Sequence, residues 1–373
     1  MTEFQRCTRC VMDNSSDETI TFDEHGYCNY CTEALKRKDS EYFPNEEGQR
    51  RLKSMLDKIK QDGIGKKYDC MMGISGGLDS SYLAYLGHKW GLRILAVHVD
   101  DGFDTEISKN NIRKLVDAAG IDLITIKPDE QQFNALTKAY MKAGVPNLAV
   151  PQDNVLFAAL YKYARKNKIK YFLSGGNFAL ESILQRGNTH SAYDVVNIRA
   201  INKLFGTEKI DKLPLISEYQ RLFDGYILSL KTVQPLNYVD YNRDRAFKEL
   251  KEFCGFEYYG RKHLENMLTA FIQLIWFPQK FGVDKRTSHL SSMIVSEQLT
   301  RTQALDLLKK PLIEDNETMD CYKSYILNKL CISDTELSQM IRHLGVQHTE
   351  YNYDKRKLLR ILSKFKSLMT QRV

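Results

Sequence analysis

Short apolar runs and amphipathic stretches alternate along the first half of the chain. Residues 68–74, 93–99, 122–126 and 170–174 are runs of the length expected for buried strands. Between and before them, residues 48–61, 78–90, 108–119 and 155–167 read as helices. Strands that alternate with helices predict an α/β fold with a parallel sheet covered on both faces. Right-handed crossovers then gather the turns that leave the strands on one edge, where such sheets bind ligands. Residues 232–239 are expected to add a last strand, held to an edge or a bulge by Pro235. Beyond Gly260 the pattern becomes helical, at 262–277, 290–296, 301–308, 333–344 and 356–369. The expected organisation is a four-cysteine segment at 1–40, a sheet domain at 41–260 and a helical region at 261–373 that binds substrate or partner.

Composition narrows the class. With 373 residues, 43% hydrophobic and 27% charged, the chain matches ordinary globular proteins and excludes disorder or a coiled-coil rod. The excess of 54 Lys+Arg over 47 Asp+Glu, +7, permits an anionic partner such as ATP, a nucleotide sugar or RNA without requiring one. The longest apolar run, residues 268–277, is ten residues and contains Gln273, too short to span a bilayer. The opening MTEFQRCTRC has no apolar stretch of signal-peptide type, so a reducing cytoplasm is expected. Eight cysteines there read as metal ligands or free thiols rather than disulfides.

Two segments carry chemistry. The first is Gly73-Ile-Ser-Gly-Gly-Leu-Asp-Ser-Ser81, between a predicted strand and a predicted helix. Gly76 and Gly77 let the backbone approach an anion and aim successive N–H groups at it. The helix that follows adds its N-terminal donors and dipole. Ser75, Ser80 and Ser81 supply hydroxyls, and Asp79 next to phosphate points to an intervening Mg²⁺. The segment is neither a Walker A loop nor a dinucleotide fingerprint. The second is Cys7-x2-Cys10 and Cys28-x2-Cys31, separated by seventeen residues. Two such turns close a tetrahedron of four thiolates, the pattern of a structural zinc site with no open position. His25 is the alternative ligand and reads better as a loop residue; Cys70, Cys254, Cys321 and Cys331 read as small buried hydrophobes.

Ser-Gly-Gly-x-Asp-Ser resembles the pyrophosphate loop of the PP-loop ATP pyrophosphatases, which include GMP, NAD and asparagine synthetases and several tRNA-modifying enzymes. The resemblance implies an adenine nucleotide alpha hydrolase-like sheet and cleavage of ATP between its α and β phosphates. It places Val97 and Asp100 beside the adenosine, and Gly175 and Asn177 in a turn that closes the nucleotide site. Gly73, Ser75, Gly76, Gly77, Asp79, Ser80 and Ser81 form the loop itself, with Ser75, Asp79 and Ser80 as its catalytic members.

A cysteine knuckle before such a domain occurs in tRNA thiolases and in N-acetyl sugar amidotransferases of bacterial surface-polysaccharide (O-antigen, capsule) synthesis. A thiolase needs a cysteine pair after the loop, and no cysteine lies between Cys70 and Cys254. The chain resembles the amidotransferases over nearly its whole length. The resemblance rests on Cys7-Thr-Arg-Cys10-Val-Met-Asp13, the second cysteine pair, Ser75 to Ser81 and Ser174 to Asn177. To these add His289-Leu-Ser-Ser-Met-Ile294 and Leu299-Thr-Arg-Thr-Gln-Ala304. It places glycine where this chain has Glu297. It implies ATP-dependent adenylation of the acetamido oxygen of a sugar, followed by displacement of AMP by ammonia to give an acetamidino sugar. ATP, Mg²⁺ and structural Zn²⁺ are the implied cofactors. No glutaminase motif is recognisable, so the resemblance implies a HisH-like glutaminase and a HisF-like ammonia-channel partner. Glu181, Arg186, His190, Arg286 and His289 are the candidate substrate contacts. The basic residues 355–366 are interspersed with Leu358, Leu359, Ile361 and Leu362 as in an amphipathic helix, which argues against nucleic acid as the partner.

Overall fold

The computed structural model describes residues 3–227, 229–258, 264–313 and 315–355. The helix expected at 356–369, and the basic stretch beyond Lys355, lie outside them. Two helices precede the sheet, α1 (Asn29–Glu41) and α2 (Glu46–Asp62). The alternation then runs β1 (Cys70–Gly73), α3 (Leu78–Lys89), β2 (Ile94–Val99), α4 (Glu106–Ala119) and β3 (Asp122–Ile126). It continues through α5 (Glu130–Ala143), α6 (Val150–Asn167), β4 (Tyr171–Leu173), α7 (Phe178–Glu181), α8 (Val195–Phe205), α9 (Glu218–Ile227), β5 (Lys231–Val233) and α10 (Arg243–Cys254).

The five strands are all parallel in the order β3-β2-β1-β4-β5. The chain builds outward from β1, first to one side and then to the other. The crevice between the carboxyl ends of β1 and β4 is therefore the topological switch point. Side chains of β1 and β2 alternate between two buried layers. Cys70, Met72, Ile94 and Ala96 face α3, α4 and the cysteine knuckle, while Met71, Leu95 and Val97 face α6. That double burial is why these strands read as continuous apolar runs.

The expected last strand is real but stops at Val233. Pro235 has no N–H for a ladder, and residues Pro235–Tyr238 turn as a 3₁₀ helix. The alternation also misses α5, although its ends are signposted. The Asp129 carboxylate accepts the Gln132 N–H, and Gly144 closes the helix in the left-handed region.

The C-terminal region contains α11 (Met267–Phe271), a ten-residue π-helix (Ile272–Phe281), α12 (Arg286–Val295), α13 (Arg301–Lys309), α14 (Asn316–Leu330) and α15 (Asp334–Arg342). Its apolar faces share one core with α5 and α8, including Phe133, Tyr140, Ile198, Phe271 and Trp276. A backbone bridge between Asp104 and Asn266, with Met267 N–H donating to the Phe103 carbonyl, stitches it to the end of β2. Among the described residues no helix is long and apolar enough to cross a membrane.

Candidate active site

The loop after β1 turns tightly because its residues permit it. Gly76 has φ +74°, and a Cβ there would lie 2.4 Å from the Ser108 carbonyl oxygen. A Cβ on Gly77 would lie 2.4 Å from the Glu265 carboxylate. The Ile74 N–H donates to the Val97 carbonyl at 3.0 Å, which fixes the loop to β2. Gly77, the N-cap residue of α3, has no side chain to cap the helix, and the first turn of α3 lines the cleft above the loop. The Ser75 and Ser80 hydroxyls lie 3.3 Å apart at that end, and the Tyr241 hydroxyl donates to the Asp79 carboxylate.

A cleft of about 200 Å³ opens over this loop. Ser75, Gly77, Asp79, Ser80 and Gly175 line it, as does Glu181. The other nominated nucleotide residues shape it from behind. Gly73 packs against Leu156, and Val97 is buried in the sheet. Ser81 is fully buried with no hydrogen-bond partner for its hydroxyl. The Asp100 carboxylate accepts the Gly102 N–H, while Asn177 caps α7 by accepting the Leu180 N–H at 3.0 Å.

Three lining residues carry no motif in the sequence: Arg243, Tyr258 and Glu265. Arg243 follows Asn242, whose side chain caps α10, and donates to the Tyr258 hydroxyl. Glu265 is buried, with its Oε1 3.5 Å from the Ser75 hydroxyl. Its distance in sequence from the loop hid it.

Behind the loop lies a buried acid–base cluster. His98 Nδ1 is 2.9 Å from the Ile74 carbonyl, which can only accept, and Nε2 is 3.1 Å from the Asp104 carboxylate. Burial lowers the His98 pKa, but the Asp104 carboxylate and the Ile74 carbonyl outweigh it and the net direction is upward. Asp101 is pushed up to about 6, by burial first and by the Asp104 charge second, against the opposing Gln152 hydrogen bond.

A second chamber of about 420 Å³ adjoins the cleft, with Leu180 and Arg243 common to both walls. Arg286 and His289 line this chamber. Arg286 is committed to Asp284 and to the Leu307 and Lys310 carbonyls, so it braces the wall. The structure does not bring Arg186 and His190 to either cavity. Arg186 pairs with Glu33 and lies over the Tyr30 ring, against the N-terminal segment. His190 pairs with Asp194 at 3.0 Å and stacks on His348 at 4.4 Å between centroids. Both are polar side chains near an active-site loop in sequence that are consumed by structural pairings.

At the knuckle, Cys7, Cys10, Cys28 and Cys31 are all buried, and their sulfurs lie within 4.8 Å of one another. Cys7–Cys31 and Cys10–Cys28 are 3.7 and 3.6 Å apart. A tetrahedron with metal–sulfur bonds of about 2.3 Å has sulfur–sulfur edges of about 3.8 Å, so the donor set fits a single tetrahedral ion. Backbone N–H groups of Arg9, Cys10 and Cys28 point at the Cys7 sulfur. His25 is an exposed loop residue beside Glu24. Arg301 donates to the carbonyls of Cys7 and Cys10, and Ser291 accepts the Val11 N–H. The knuckle is thus welded to α12 and α13. Cys70 is buried and Cys254 half-buried, but Cys321 and Cys331 are exposed, because α14 turns its outer face and its C-terminus to solvent.

A family model for queuosine biosynthesis protein QueC matches residues 69–180, which span β1 to β4 with the loop. A second, for the C-terminal domain of LPS biosynthesis protein WbpG-like proteins, matches residues 265–366. The loop-bearing sheet is thus similar to an enzyme of the PP-loop class, and the C-terminal helices to an LPS biosynthesis protein. No curated protein matches it. Solved structures overlap the chain loosely. NMN synthetase from Francisella tularensis is 16% identical, covering 62% of this chain and 93% of its own at a TM-score of 0.30. NH3-dependent NAD synthetase from Campylobacter jejuni is 15% identical, covering 72% and 99% at 0.30. U34-tRNA thiolase NcsA from Methanococcus maripaludis, solved with its [4Fe-4S] cluster, is 14% identical, covering 84% and 91% at 0.33.

Proposed function

We propose that the protein is an ATP-dependent amidotransferase that converts an acetamido group of an N-acetylated sugar to an acetamidino group, in cytoplasmic synthesis of a lipopolysaccharide-type glycan. One observation carries this reading. Glu265, the first residue of the WbpG-like segment, lies against Ser75 of the pyrophosphate loop, and that segment supplies most of the wall of the adjoining chamber. The ATP site and the region similar to an LPS biosynthesis protein therefore form one continuous space.

In this reading the acetamido oxygen attacks the α-phosphorus of ATP. The new O–P bond forms as the bond to the β-phosphate oxygen breaks, and pyrophosphate leaves. Donors on Gly77, Ser75, Ser80 and the first turn of α3 hold the charge that gathers on it. Ammonia then adds to the activated carbon and loses a proton, and AMP departs with the former acetamido oxygen. Asp79, Glu181 and Glu265 each line the cleft, and a carboxylate there suits a hard divalent cation that arrives with the nucleotide. Mg²⁺ held there would offset phosphate charge. The four thiolates would hold Zn²⁺ as a structural ion. Ammonia is assigned to a HisH-like glutaminase through a HisF-like channel protein, because the chain shows no glutaminase motif.

A tRNA thiolase is the alternative, and the cleft disfavours it. No cysteine is among its lining residues, and Cys70 is buried within the sheet. The test is incubation with ATP, Mg²⁺, ammonium and a panel of acetamido sugars and nucleotide sugars. The expected result is sugar-dependent AMP and pyrophosphate, with a product in which NH replaces oxygen by mass. AMP release that ignores every sugar and responds to tRNA would overturn it.

A further inference from the structure

The segment 270–277 is apolar at every position but one: Ala-Phe-Ile-Gln-Leu-Ile-Trp-Phe. Gln273 interrupts it inside the π-helix, a form that is rare beyond a single turn and is concentrated at functional sites. The same segment buries Ile272, Leu274, Ile275, Trp276 and Phe277, with the Trp276 indole N–H donating to the Val145 carbonyl. Burial on that scale leaves no packing reason for a carboxamide. Gln273 lines the chamber beside the PP-loop cleft, half-buried, and its side chain makes no hydrogen bond to any described residue.

Four polar neighbours in the wall are already engaged. Asn242 is spent on capping α10 and Gln298 on the Tyr241 carbonyl. Lys285 is spent on Gln185, and Arg286 on Asp284. Most of the remaining wall is aliphatic, including Leu264, Leu274, Leu290 and Leu299. A half-buried carboxamide in a largely aliphatic wall turns its hydrogen-bonding groups toward whatever fills the chamber. It offers one acceptor oxygen and two N–H donors, the complement of an amide that presents its own N–H and carbonyl.

We propose that Gln273 is the specificity-determining residue that recognises an N-acyl group on the acceptor sugar. Its Oε1 accepts the acetamido N–H, and its Nε2 donates to a neighbouring sugar oxygen. The methyl group lies against the leucines. The inference rests on the amidotransferase reading and names what its chamber selects.

The test measures binding to the full-length protein by calorimetry, with Mg²⁺ and non-hydrolysable α,β-methylene-ATP present. The probes are UDP-N-acetylglucosamine and UDP-glucose, which differ by acetamido against hydroxyl. Wild type is expected to prefer the N-acetyl probe by about 10-fold or more, and Gln273→Leu to bring the preference below about 3-fold. Unchanged affinity for the ATP analogue shows that the variant is folded, and Gln273→Glu gives a second, shape-conserving loss. Wild-type indifference to the acetyl group, or undiminished preference in both variants, overturns the recognition. AMP release separates the two claims. Gln273-dependent binding without sugar-dependent AMP overturns the reaction and supports the recognition. Sugar-dependent AMP with equal selectivity in wild type and variant does the reverse.

Discussion

The cysteine knuckle and the chamber are two of the places where the C-terminal helices meet the rest of the molecule, and they are built on opposite plans. The knuckle takes all its donors from residues 7 to 31, and backbone N–H groups within the same stretch already aim at the Cys7 sulfur. The chamber draws its wall from Leu180, Arg243, Gln273, Arg286 and Gln298, which come together only when the whole chain has folded. The first is a local device that anchors; the second is a long-range device that selects. Losing the anchor should therefore damage the selector, while altering the selector should leave the anchor intact.

The sharpest way to break that asymmetry is to remove the metal proposed for the four cysteines. Cys28→Ser, or a strong chelator, is expected to cost at least about 3 kcal/mol, because uncompensated thiols replace a closed site. The loss should reach α12 and α13 through Arg301 and Ser291, since these bind the knuckle backbone. Thermal melting with metal analysis measures the first effect, and hydrogen exchange across residues 286–309 the second. Undisturbed exchange there would make the knuckle an independent module.

The same contrast explains what was legible in the sequence. The glycine-rich turn after β1 and the clustered cysteine pairs were, because each is encoded by particular residues within a few positions of each other. The parallel sheet was legible because strands buried on both faces read as apolar runs. Glu265 was not, since it reaches Ser75 across 190 positions. Gln273 looked only like a break in an apolar run, and its meaning depends on walls contributed by α10 and α12. Arg186 and His190 show the converse error. Closeness in sequence to a glycine-rich turn drew attention to them, but Glu33 and Asp194 already occupy their polar groups. Helices α8 and α10 were missed because they pack on partners far away in the chain, α8 on α5 and α10 on α3 and α4.

A smaller effect separates the loop's support from the chamber. Asp101 is buried behind the loop with its pKa raised to about 6. A carboxyl raised in the folded state favours folding while protonated, and that contribution is lost as pH rises from about 4 to about 6. Asp101→Asn is therefore expected to stabilise the protein at pH 8 by up to about 3 kcal/mol and to change little at pH 4. Denaturant melts at the two pH values decide this, and an equal effect at both would refute the burial argument. Next in size is Arg301→Lys. A lysine cannot span two carbonyls as the guanidinium does, so a loss of about 1–2 kcal/mol is expected, with metal retained.

The smallest expected effect concerns a single backbone angle at the seam between the two devices. Glu297 follows α12 at φ +65°, in the left-handed region, with its N–H donating to the Ile294 carbonyl. The resemblance to sugar amidotransferases places glycine here, and the angle supplies the reason, because a Cβ in this conformation costs about 1 kcal/mol. Glutamate offsets part of that through Lys38 at 2.5 Å, but its own side chain is 81% exposed and the pair is correspondingly weak. Glu297→Gly should therefore stabilise the fold by about 0.5 kcal/mol, and Glu297→Ala, which keeps the strain and loses the pair, should destabilise it slightly. Opposite signs from two truncations at one position would show that the turn, rather than the charge, is what this site requires. Equal losses from both would show that the Lys38 pair ties α1 to the end of α12.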